Sequence, residues 1–522
     1  MCGIAGYIGK KTIEQPIIHQ TLNLMRNRGP DHQGYKHLKQ NGANIFLLHS
    51  RLGIIDCDAR SNQPFVLEGC TLIFNGEIYN YIELKEDLKK QGIKCTTTSD
   101  TEVLLRYYLL HGEDCVKYFE GMWAFAIYDE GRKTLFLSRD RFAEKPLYYS
   151  RTEDGFYFSS EIKIIKSLSG KTHTINQKHL LRYLVHGYKS LCKVDETFFK
   201  EISEIKYATN LFVNSDLEIR SYCYWEPTSK IDEGMSLDFA VEGARYHLLE
   251  SIRLRLRSDV PMAFCLSGGV DSAALVSIAA KYFDHSVSSF SIIDSDERYN
   301  EYDNIKATVD DTNCKSTLVE LSYEKSLPRL QELIRYHDMP IATITYFVHS
   351  MLSEQISKNG YRVSFSGTSA DELFTGYYDH FLLHLNMMRN SPKYDCYLSD
   401  WEENIQPFVR NPILKNPDLY RLTPDFRGHV FDSSSEFVDI LKIPFDEIFT
   451  EEYFTENLLR NRMMNELFYE ATPVILHEDD LNSMFYSIEN RSPYLDSRLF
   501  EFAYSIPDKF LIQGGFGKYI LR

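Results

Sequence analysis

Residues 260–281 read VPMAFCLSGGVDSAALVSIAAK, and this stretch decides the fold of the C-terminal half of the chain. The apolar run Val260–Leu266 predicts a strand, Ser267–Ser272 a glycine loop, and the small residues of Ala273–Lys281 a helix. Glycines let a backbone approach phosphate oxygens closely, and the free N–H groups of a following helix donate hydrogen bonds to them. The stretch therefore predicts an anion-binding crevice at the end of a strand.

The same alternation of strand and helix continues beyond this stretch. Apolar runs predict strands at Val287–Ile293, Thr317–Leu321 and Arg362–Ser366, and a helix from about Asp371 follows the last of them. Strands that alternate with helices form a parallel, doubly wound sheet, with ligands bound at the carboxyl ends of the strands. From about residue 380 to 510 the pattern predicts helices. We therefore expect an α/β domain.

Residues 1 to about 220 are predicted to be mostly β-structure. The predicted strands are Thr71–Asn75, Met122–Asp129, Lys133–Arg139 and Phe156–Ser160. Glu130-Gly131 between the second and third of these is a hairpin signal. One helix is predicted from near Glu77 to Lys90, and another from Ser99, where Ser99 and Glu102 match a capping box. The pattern predicts an α+β sandwich of two sheet layers with flanking helices.

A change of pattern near Tyr222–Met235 marks a domain boundary, because Trp225-Glu226-Pro227 ends the β pattern there. A chain of 522 residues is also too long for a single hydrophobic core. We therefore predict an N-terminal domain of residues 1–220, a linker of residues 221–235 and a C-terminal domain of residues 236–522.

The composition excludes several classes of protein. A net charge of −16 argues against general nucleic-acid binding, which depends on neutralising phosphates. No apolar run reaches the roughly 18 residues that a membrane helix needs, and the N-terminus lacks the pattern of a secretory signal. The 10 Cys include no C-x-x-C pair, which argues against a zinc site and a disulfide framework. We expect a cytoplasmic protein that acts on small molecules. The sequence leaves open whether it forms a homodimer.

The N-terminus begins Met1-Cys2-Gly3-Ile4. If Met1 is removed, Cys2 carries a thiol nucleophile and a free α-amine, which is a base with a pKa near neutrality. This is the arrangement of an N-terminal-nucleophile hydrolase. The alternative is a cysteine that stands second in the chain without a catalytic role.

Four further segments decide between these alternatives. They are Arg28-Gly29-Pro30-Asp31, Arg51 within His49–Ile54, Asn75-Gly76-Glu77, and Asp100. In order and spacing they resemble the glutaminase domain of class II glutamine amidotransferases, which has the N-terminal-nucleophile hydrolase fold. The loop Ser267–Ser272 resembles the pyrophosphate loop of ATP pyrophosphatases. Together the two sets resemble the glutamine-hydrolysing asparagine synthetase family over essentially the whole chain.

The resemblance implies a glutaminase site around Cys2 as the nucleophile. Asn75 and the Gly76 N–H are then the oxyanion hole, which stabilises the negative charge of the intermediate. Arg51 suits the α-carboxylate of glutamine by bidentate pairing, and Asp100 suits its α-ammonium. Asp100 has a simpler alternative as a carboxylate favoured by a helix N-terminus. Glu77 is a further candidate for glutamine binding, although it could simply begin the following helix.

The resemblance also implies a synthetase site that uses ATP and Mg²⁺. The ATP-binding candidates are Leu266, Ser267, Gly268, Gly269, Asp271, Ser272, Ser366 and Gly367. Asp271 and Asp371 match the family's magnesium ligands, and carboxylate oxygens suit that ion. Lys518 in Gly517–Arg522 matches the lysine that neutralises charge during adenylation. In isolation, Lys518 would be read as an exposed lysine after a glycine turn.

The chain departs from the family at three positions in or beside the acceptor pocket. The family usually has an acidic residue at the position of Thr368, and glycines at Ser369 and Thr375. The chain also ends at Arg522, where relatives usually continue for several tens of residues, so it is either naturally short or a fragment. Thr368 cannot take a proton from the attacking ammonia at neutral pH. Another base is then needed, such as a phosphate oxygen or Glu372, or else the pocket holds a different acceptor.

These observations predict a glutamine- and ATP-dependent amidotransferase that passes ammonia to an acyl-adenylate, with AMP and pyrophosphate as products. Aspartate, giving asparagine, is the default acceptor. The nearest alternative is another carboxylate, such as a uronic-acid sugar of a surface polysaccharide. A β-lactam-forming relative is disfavoured, because the glutaminase set is intact. A non-catalytic interaction protein is disfavoured by the set Asp271, Asp371 and Lys518.

Overall fold

The computed structural model describes residues 1–294, 296, 300–322, 324, 326–430 and 438–522. In the N-terminal half the strands are β1 (Gly3–Gly9), β2 (His32–Gln40), β3 (Ala43–Arg51), β4 (Phe65–Leu67), β5 (Cys70–Ile78), β6 (Gly121–Asp129), β7 (Thr134–Arg139), β8 (Tyr148–Thr152), β9 (Gly155–Ser159), β10 (Ser203–Glu204), β11 (Thr209–Asn214) and β12 (Ile219–Cys223). The helices of this half are α1 (Gln15–Leu24), α2 (Tyr81–Lys90), α3 (Asp100–His111), α4 (Ile162–Ser169) and α5 (Gln177–His186).

The N-terminal strands form two antiparallel sheets, with orders β10-β8-β9-β1-β3-β2 and β12-β11-β7-β6-β5-β4. Apolar residues of β1 and β3 pack against those of β5, β6 and β7 in one buried core, so the two sheets lie face to face. Helices α1 and α4 cover the outer face of the first sheet, and α2 and α3 that of the second. The predicted sandwich with flanking helices is confirmed.

Two local predictions in this half are wrong. Helix α2 begins at Tyr81, not near Glu77, because β5 continues through Ile78 and pairs there with β6. The reciprocal capping box of Ser99 and Glu102 is not formed. Ser99 Oγ accepts from the Thr101 N–H, whereas the Glu102 carboxylate accepts from the backbone N–H groups that precede the helix and from Arg106.

The C-terminal half contains the strands β13 (Met262–Cys265), β14 (Ser288–Ile293), β15 (Lys315–Glu320), β16 (Val363–Phe365) and β17 (Glu489–Arg491). Its helices are α6 (Leu237–Arg255), α7 (Val270–Tyr282), α8 (Tyr302–Thr312), α9 (Ser326–His337), α10 (Ile344–Lys358), α11 (Ala370–Phe374), α12 (Tyr378–Met387), α13 (Tyr394–Asn404), α14 (Leu419–Leu422), α15 (Leu458–Phe468), α16 (Ala471–Phe485) and α17 (Ser497–Ala503). Short 3₁₀ turns connect several of these elements.

The five C-terminal strands form a parallel sheet in the order β15-β14-β13-β16-β17, which confirms the predicted doubly wound α/β arrangement. Strand β17 lies in a region predicted to be helical. It is three residues long and charged at both ends, and it is held by its register with β16, in which Phe365 lies opposite Arg491. Such a strand depends on its neighbour and not on its own pattern. Among the described residues, no helix has the length and apolar character to cross a membrane.

Candidate functional sites

Cys2 stands at the start of β1, next to the carboxyl end of β3. The register of the two strands pairs Gly3 with Ser50, so Cys2 lies beside Arg51. The Cys2 thiol is buried, with Sγ 4.0 Å from the carbonyl oxygen of Leu52. Burial raises the pKa of this thiol, and the neighbouring positive charges of the Met1 amine and Arg51 act in the opposite direction. Removal of Met1 would give Cys2 its own amine as a base.

Asn75 and Gly76 in β5 provide the environment expected of an oxyanion hole. Asn75 Oδ1 accepts a hydrogen bond from the backbone N–H of Cys2 at 2.9 Å. The Nδ2 of Asn75 is buried and has no hydrogen-bond partner in the part of the chain that the structure describes. Gly76 has φ +147°, and a Cβ atom there would lie 2.1 Å from the Met122 carbonyl oxygen. Only glycine therefore fits at this position.

Arg51 is fixed by the loop that follows β3. Its Nη1 donates to the Asp58 carbonyl oxygen at 2.8 Å and to Asn62 Oδ1 at 2.9 Å, and its Nη2 donates to the carbonyl oxygen of Asp56. The guanidinium fork predicted to hold the carboxylate of glutamine is thus engaged by loop oxygens in this structure. Bidentate binding of a carboxylate requires some of these contacts to exchange.

Glu77 and Asp100 lie near each other at the carboxyl end of β5. Asp100 begins α3, and its Oδ2 accepts from the Ile78 N–H at 3.0 Å. Burial raises the pKa of Asp100 to about 6. Glu77 belongs to β5, so the interpretation that it begins a helix is wrong. Burial, with Glu489 and Asp100 nearby, raises the pKa of Glu77 well above its usual range. The structure thus brings the sequence-predicted glutaminase residues together.

Arg28 has a role at this site that sequence reasoning did not assign. Its Nε donates to the Cys2 carbonyl oxygen at 3.0 Å, and its Nη1 contacts Asp480 in α16 at 2.6 Å and Glu161 at 3.0 Å. The guanidinium is fully buried. Arg28 therefore ties the nucleophile segment to the C-terminal half. Its place in the Arg28–Asp31 motif signalled importance, but its partners are distant in sequence.

Met1 occupies the same boundary between the two halves. The residue is 1% exposed and packs in a cluster with Leu52, Tyr79, Met122 and Met484. Its amine lies 2.7 Å from Glu489 Oε2 on β17, and both side chains are buried. The N-terminal residue is therefore enclosed between the two halves of the chain.

The glycine loop after β13 forms one wall of a cavity of about 770 Å³. Of the predicted ATP-binding residues, Leu266, Ser267, Asp271, Ser272, Ser366 and Gly367 line this cavity. Ser267 and Ser272 hydroxyls lie 2.9 Å apart, and Gly268 N–H donates to Glu301 Oε2 at 2.9 Å. The Glu301 carboxylate thus holds a loop donor of the kind that binds phosphate oxygens.

Lys518 connects the two predicted magnesium ligands. Its Nζ lies 2.5 Å from Asp271 Oδ2 and 2.8 Å from Asp371 Oδ1. Burial lowers the pKa of Lys518, but Asp371 and Asp271 raise it by more, so the ammonium form is stabilised. A Cβ at Gly376 would lie 1.5 Å from Asp371 Oδ1, so this glycine makes room for the cluster. The interpretation of Lys518 as a merely exposed lysine does not apply.

The donor set of this cluster fits a magnesium ion. Asp271 Oδ1 is buried without a hydrogen-bond partner within the described ranges, which leaves it available as a ligand. Asp371 presents a second carboxylate close by, since Lys518 contacts both aspartates. Mg²⁺ is typically bound by one or two carboxylates together with substrate phosphates. Asp271 and Asp371 beside the glycine loop meet that description.

The structure shows the contacts or the backbone conformation of the three positions that depart from the family. Thr368 lines the cavity, and its Oγ1 lies 3.0 Å from Ser366 Oγ. Ser369 and Thr375 have φ +75° and +71°, a conformation that glycine adopts without strain. The Glu372 carboxyl is buried and accepts a hydrogen bond from Tyr377 at 2.7 Å. Burial and Asp371 raise the pKa of Glu372 to about 7.

Comparison with known proteins agrees with this geometry. A glutamine amidotransferase domain model matches residues 1–225, and an asparagine synthase model matches residues 243–522. The chain belongs to the asparagine synthetase family. Asparagine synthetase [glutamine-hydrolyzing] 1 of Bacillus subtilis (strain 168) is 30% identical over 567 residues, which cover 100% of this chain and 84% of that protein.

Two further relatives show the breadth of the family. A putative asparagine synthetase [glutamine-hydrolyzing] 2 of Methanocaldococcus jannaschii is 32% identical over 76% of this chain and 79% of that protein. Amidase chry2 of Gibberella zeae is 26% identical over 72% of this chain and 59% of that protein. Proteins similar to this chain therefore carry more than one functional name. The chain is an enzyme of this family, a glutamine-dependent amidotransferase whose family uses ATP.

Proposed function

We propose that this family member makes asparagine from aspartate, with glutamine as the nitrogen donor and ATP as the activating substrate. The proposal supposes two sites in one chain. Glutamine is hydrolysed at the site around Cys2, and the carboxylate is activated at the cavity beside the glycine loop. Ammonia passes between them inside the protein, which keeps it from protonation in bulk water.

At the glutaminase site, Cys2 attacks the side-chain amide carbon of glutamine after Met1 has been removed. The α-amine of Cys2 takes the thiol proton and later delivers it to the departing ammonia. Asn75 Nδ2, the buried donor without a partner among the described residues, and the Gly76 N–H stabilise the developing oxyanion. Arg51 and Asp100 hold the carboxylate and ammonium of the substrate, and Glu77 completes the wall of this site.

At the synthetase site, the loop Ser267–Ser272 binds the phosphates through its N–H and hydroxyl groups, and Ser366 and Gly367 line the cavity beside it. The acceptor carboxylate attacks the α-phosphorus, and pyrophosphate leaves. Lys518 neutralises the negative charge that develops on the phosphates. Asp271 and Asp371 would hold Mg²⁺, which shields phosphate charge when bound. Ammonia then attacks the acyl-adenylate and releases AMP.

The observation that carries this proposal is the contact of Lys518 with both Asp271 and Asp371 beside a phosphate-type loop. The test is to incubate the protein with glutamine, ATP, Mg²⁺ and aspartate, and to measure asparagine and pyrophosphate. Equal amounts of the two products support the proposal. Absence of both, in protein whose glutaminase activity is demonstrated, contradicts aspartate as the acceptor.

Thr368 favours a second candidate function, the amidation of another carboxylate such as a uronic-acid sugar. A threonine in the cavity removes a negative charge beside an anionic substrate and offers a hydroxyl for a sugar hydroxyl. A screen of carboxylates for pyrophosphate release distinguishes the candidates. A uronic acid that supports release where aspartate does not would identify this alternative. No release with any acceptor would favour an interaction protein without synthetase activity.

We also propose that the protein is cytoplasmic and that it forms a homodimer. All ten cysteines are unpaired, which suits a reducing compartment. Cell fractionation tests the location, and sedimentation at several protein concentrations tests the dimer.

A further inference from the structure

The replacement at Thr368 creates a chemical problem for the proposed reaction. When ammonia attacks an acyl-adenylate, a C–N bond forms, the C–O bond to AMP breaks, and the nitrogen must lose one proton. A threonine hydroxyl is not a base at neutral pH. Glu372 is not among the described residues that line the cavity with Thr368, and its buried carboxyl accepts a hydrogen bond from Tyr377.

A histidine and an aspartate line the same cavity as Thr368. His349 belongs to α10 and Asp479 to α16, and both contribute to the cavity wall together with Thr368, Ser366 and Asn490. His349 Nδ1 lies 3.1 Å from Asp479 Oδ1. The side chain of His349 is 38% exposed and that of Asp479 is 13% exposed. The imidazole ring is therefore accessible, whereas the carboxylate is largely buried.

The chemistry of the pair fixes which ring nitrogen is free. An ionised aspartate can only accept, so Nδ1–H of His349 donates to Asp479. Nε2 then carries the lone pair, and among the described residues the hydrogen bond of His349 is the one that Nδ1 makes with Asp479. Thr345, one turn earlier on α10, and Leu352 also line the cavity, so this face of the helix is turned towards it.

The surroundings of His349 support the role of a base. Burial lowers the pKa of His349, but the hydrogen bond and charge of Asp479 raise it, with a net increase. Elements β14, β15 and α16 pack against α10, and α9 contacts it through Arg329, which bonds to Ser350 and Glu354. The titratable and charged residues of these four elements are Lys315, Glu320, Arg329, Glu332, Arg335, Tyr336, His337, His477, Glu478, Asp479 and Asp480, and the cavity adds Cys265, Asp271, Asp294 and Glu301. Of these groups, Asp479 is the one whose charge acts on His349.

We infer that His349, held by Asp479, accepts the proton from the attacking ammonia and thereby takes the place of the missing acidic residue at Thr368. The nitrogen lone pair forms the new C–N bond, AMP leaves with the electrons of the C–O bond, and Nε2 receives the proton. The inference rests on the proposed function. It assigns a base to the synthetase site without fixing which carboxylate is the acceptor.

The first test separates activation from amide formation in the full chain. With aspartate, or with the uronic acid that supports pyrophosphate release, H349Q should lower ammonia-dependent amide formation about 10²–10³-fold. Pyrophosphate release in a single turnover should change by less than about threefold, because no base is needed there. Added imidazole should restore part of the lost rate. His247 on α6 lies outside both sites, and H247Q should match the wild type.

Two results would overturn the inference in this assay. One is amide formation by H349Q at the wild-type rate. The other is an equal loss of pyrophosphate release and amide formation, which would indicate a role in folding or ATP binding. Failure of every carboxylate in the wild-type protein would instead count against the proposed function, and with it against the catalytic role of His349.

A second measurement needs no acceptor. In the full chain labelled with [¹⁵N]histidine, H349Q assigns the His349 ring signals. We expect the ring to titrate with a higher pKa than His247, and D479N to lower the pKa of His349. A pKa of His349 that D479N leaves unchanged would overturn the pairing and the inference together.

Discussion

Asn75 Oδ1 lies 2.9 Å from the backbone nitrogen of Cys2 and accepts its hydrogen bond. This contact leaves Nδ2 of the same amide as a buried donor without a partner in the described part of the chain. A buried donor without a partner costs free energy in the resting protein. In the proposed reaction that donor gains its partner only when the oxyanion forms. One side chain would therefore both position the nucleophile and stabilise the intermediate.

Replacement of Asn75 by alanine should remove this donor. We expect N75A to lower kcat for glutamine hydrolysis about 10²–10³-fold, as for other oxyanion-hole donors. Glutamine hydrolysis is measured as glutamate production. The control is ammonia-dependent synthesis in the same variant, which should remain. Unchanged hydrolysis would show that the oxyanion is stabilised elsewhere.

Cys2 should divide the two activities. C2A should abolish glutamine hydrolysis and keep synthesis from added ammonia, because the proposed function assigns the two reactions to separate sites. C396A changes an exposed free cysteine and should resemble the wild type. A non-cleavable N-terminal tag should mimic C2A. Full activity with Met1 retained would contradict the α-amine as the base.

Asp100 should impose a pH dependence on glutamine binding. Its raised pKa of about 6 means that the carboxylate is charged above this pH and neutral below it. Because the proposed function has the charged form bind the substrate ammonium, kcat/KM for glutamine should fall up to about tenfold per pH unit below pH 6. D100N should have a low kcat/KM that does not fall further below pH 6. D114N, at an exposed position, should keep the decrease below pH 6. If kcat/KM of D100N still decreases below pH 6, the decrease belongs to another titrating group.

Lys518 should be needed for adenylation alone. K518A removes the ammonium between Asp271 and Asp371 and should lower pyrophosphate release about 10²–10³-fold, while glutamine hydrolysis continues. K509A is the matched control, because Lys509 contacts its neighbour Phe510 and neither aspartate. D271N and D371N should likewise lose AMP formation and the response to Mg²⁺. Unchanged Mg²⁺ dependence in both would refute the metal assignment.

Arg28 should matter for stability as well as for the glutaminase site. R28M leaves Asp480 and Glu161 buried with one fewer partner, which typically costs about 3–5 kcal/mol. Lys145 and Lys163 remain beside these carboxylates and should reduce that cost. Thermal unfolding measures the effect, with the exposed R26M as the control. A Tm equal to that of the wild type would show that Arg28 contributes little to stability.

The architecture could be derived from the sequence because its signals are local. The glycine loop after Val260–Leu266 and the alternation of strands with helices report the parallel sheet directly. Strand β17 could not be derived in the same way, because three residues carry no period and depend on pairing with β16. The start of α2 was misplaced for a related reason, since the β5–β6 pairing extends β5 beyond its apolar core.

The site residues that lie in sequence motifs could be predicted. Those that only the tertiary fold brings together could not. Asn75 and Asp100 lie in recognisable segments, so the contact of Asn75 with Cys2 and the place of Asp100 beside β5 were expected from the resemblance. The contact between Arg28 and Asp480 joins residues 452 positions apart, and no spacing rule reports it. The same holds for His349 and Asp479, which lie 130 positions apart on different helices. Thr368 signalled that a base was missing, but not which residue could replace it.

The enclosure of Met1 has a consequence for the order of events during biosynthesis. An aminopeptidase must take an extended N-terminus into its own cleft, yet the Met1 amine is paired with Glu489, 488 positions further along the chain. Under the proposed mechanism, removal of Met1 therefore precedes the docking of β17. Rapid synthesis with slow trimming would then trap a folded, glutaminase-dead population. The fraction of active molecules would be set by a race between two cellular processes, and not by the thermodynamics of the finished protein.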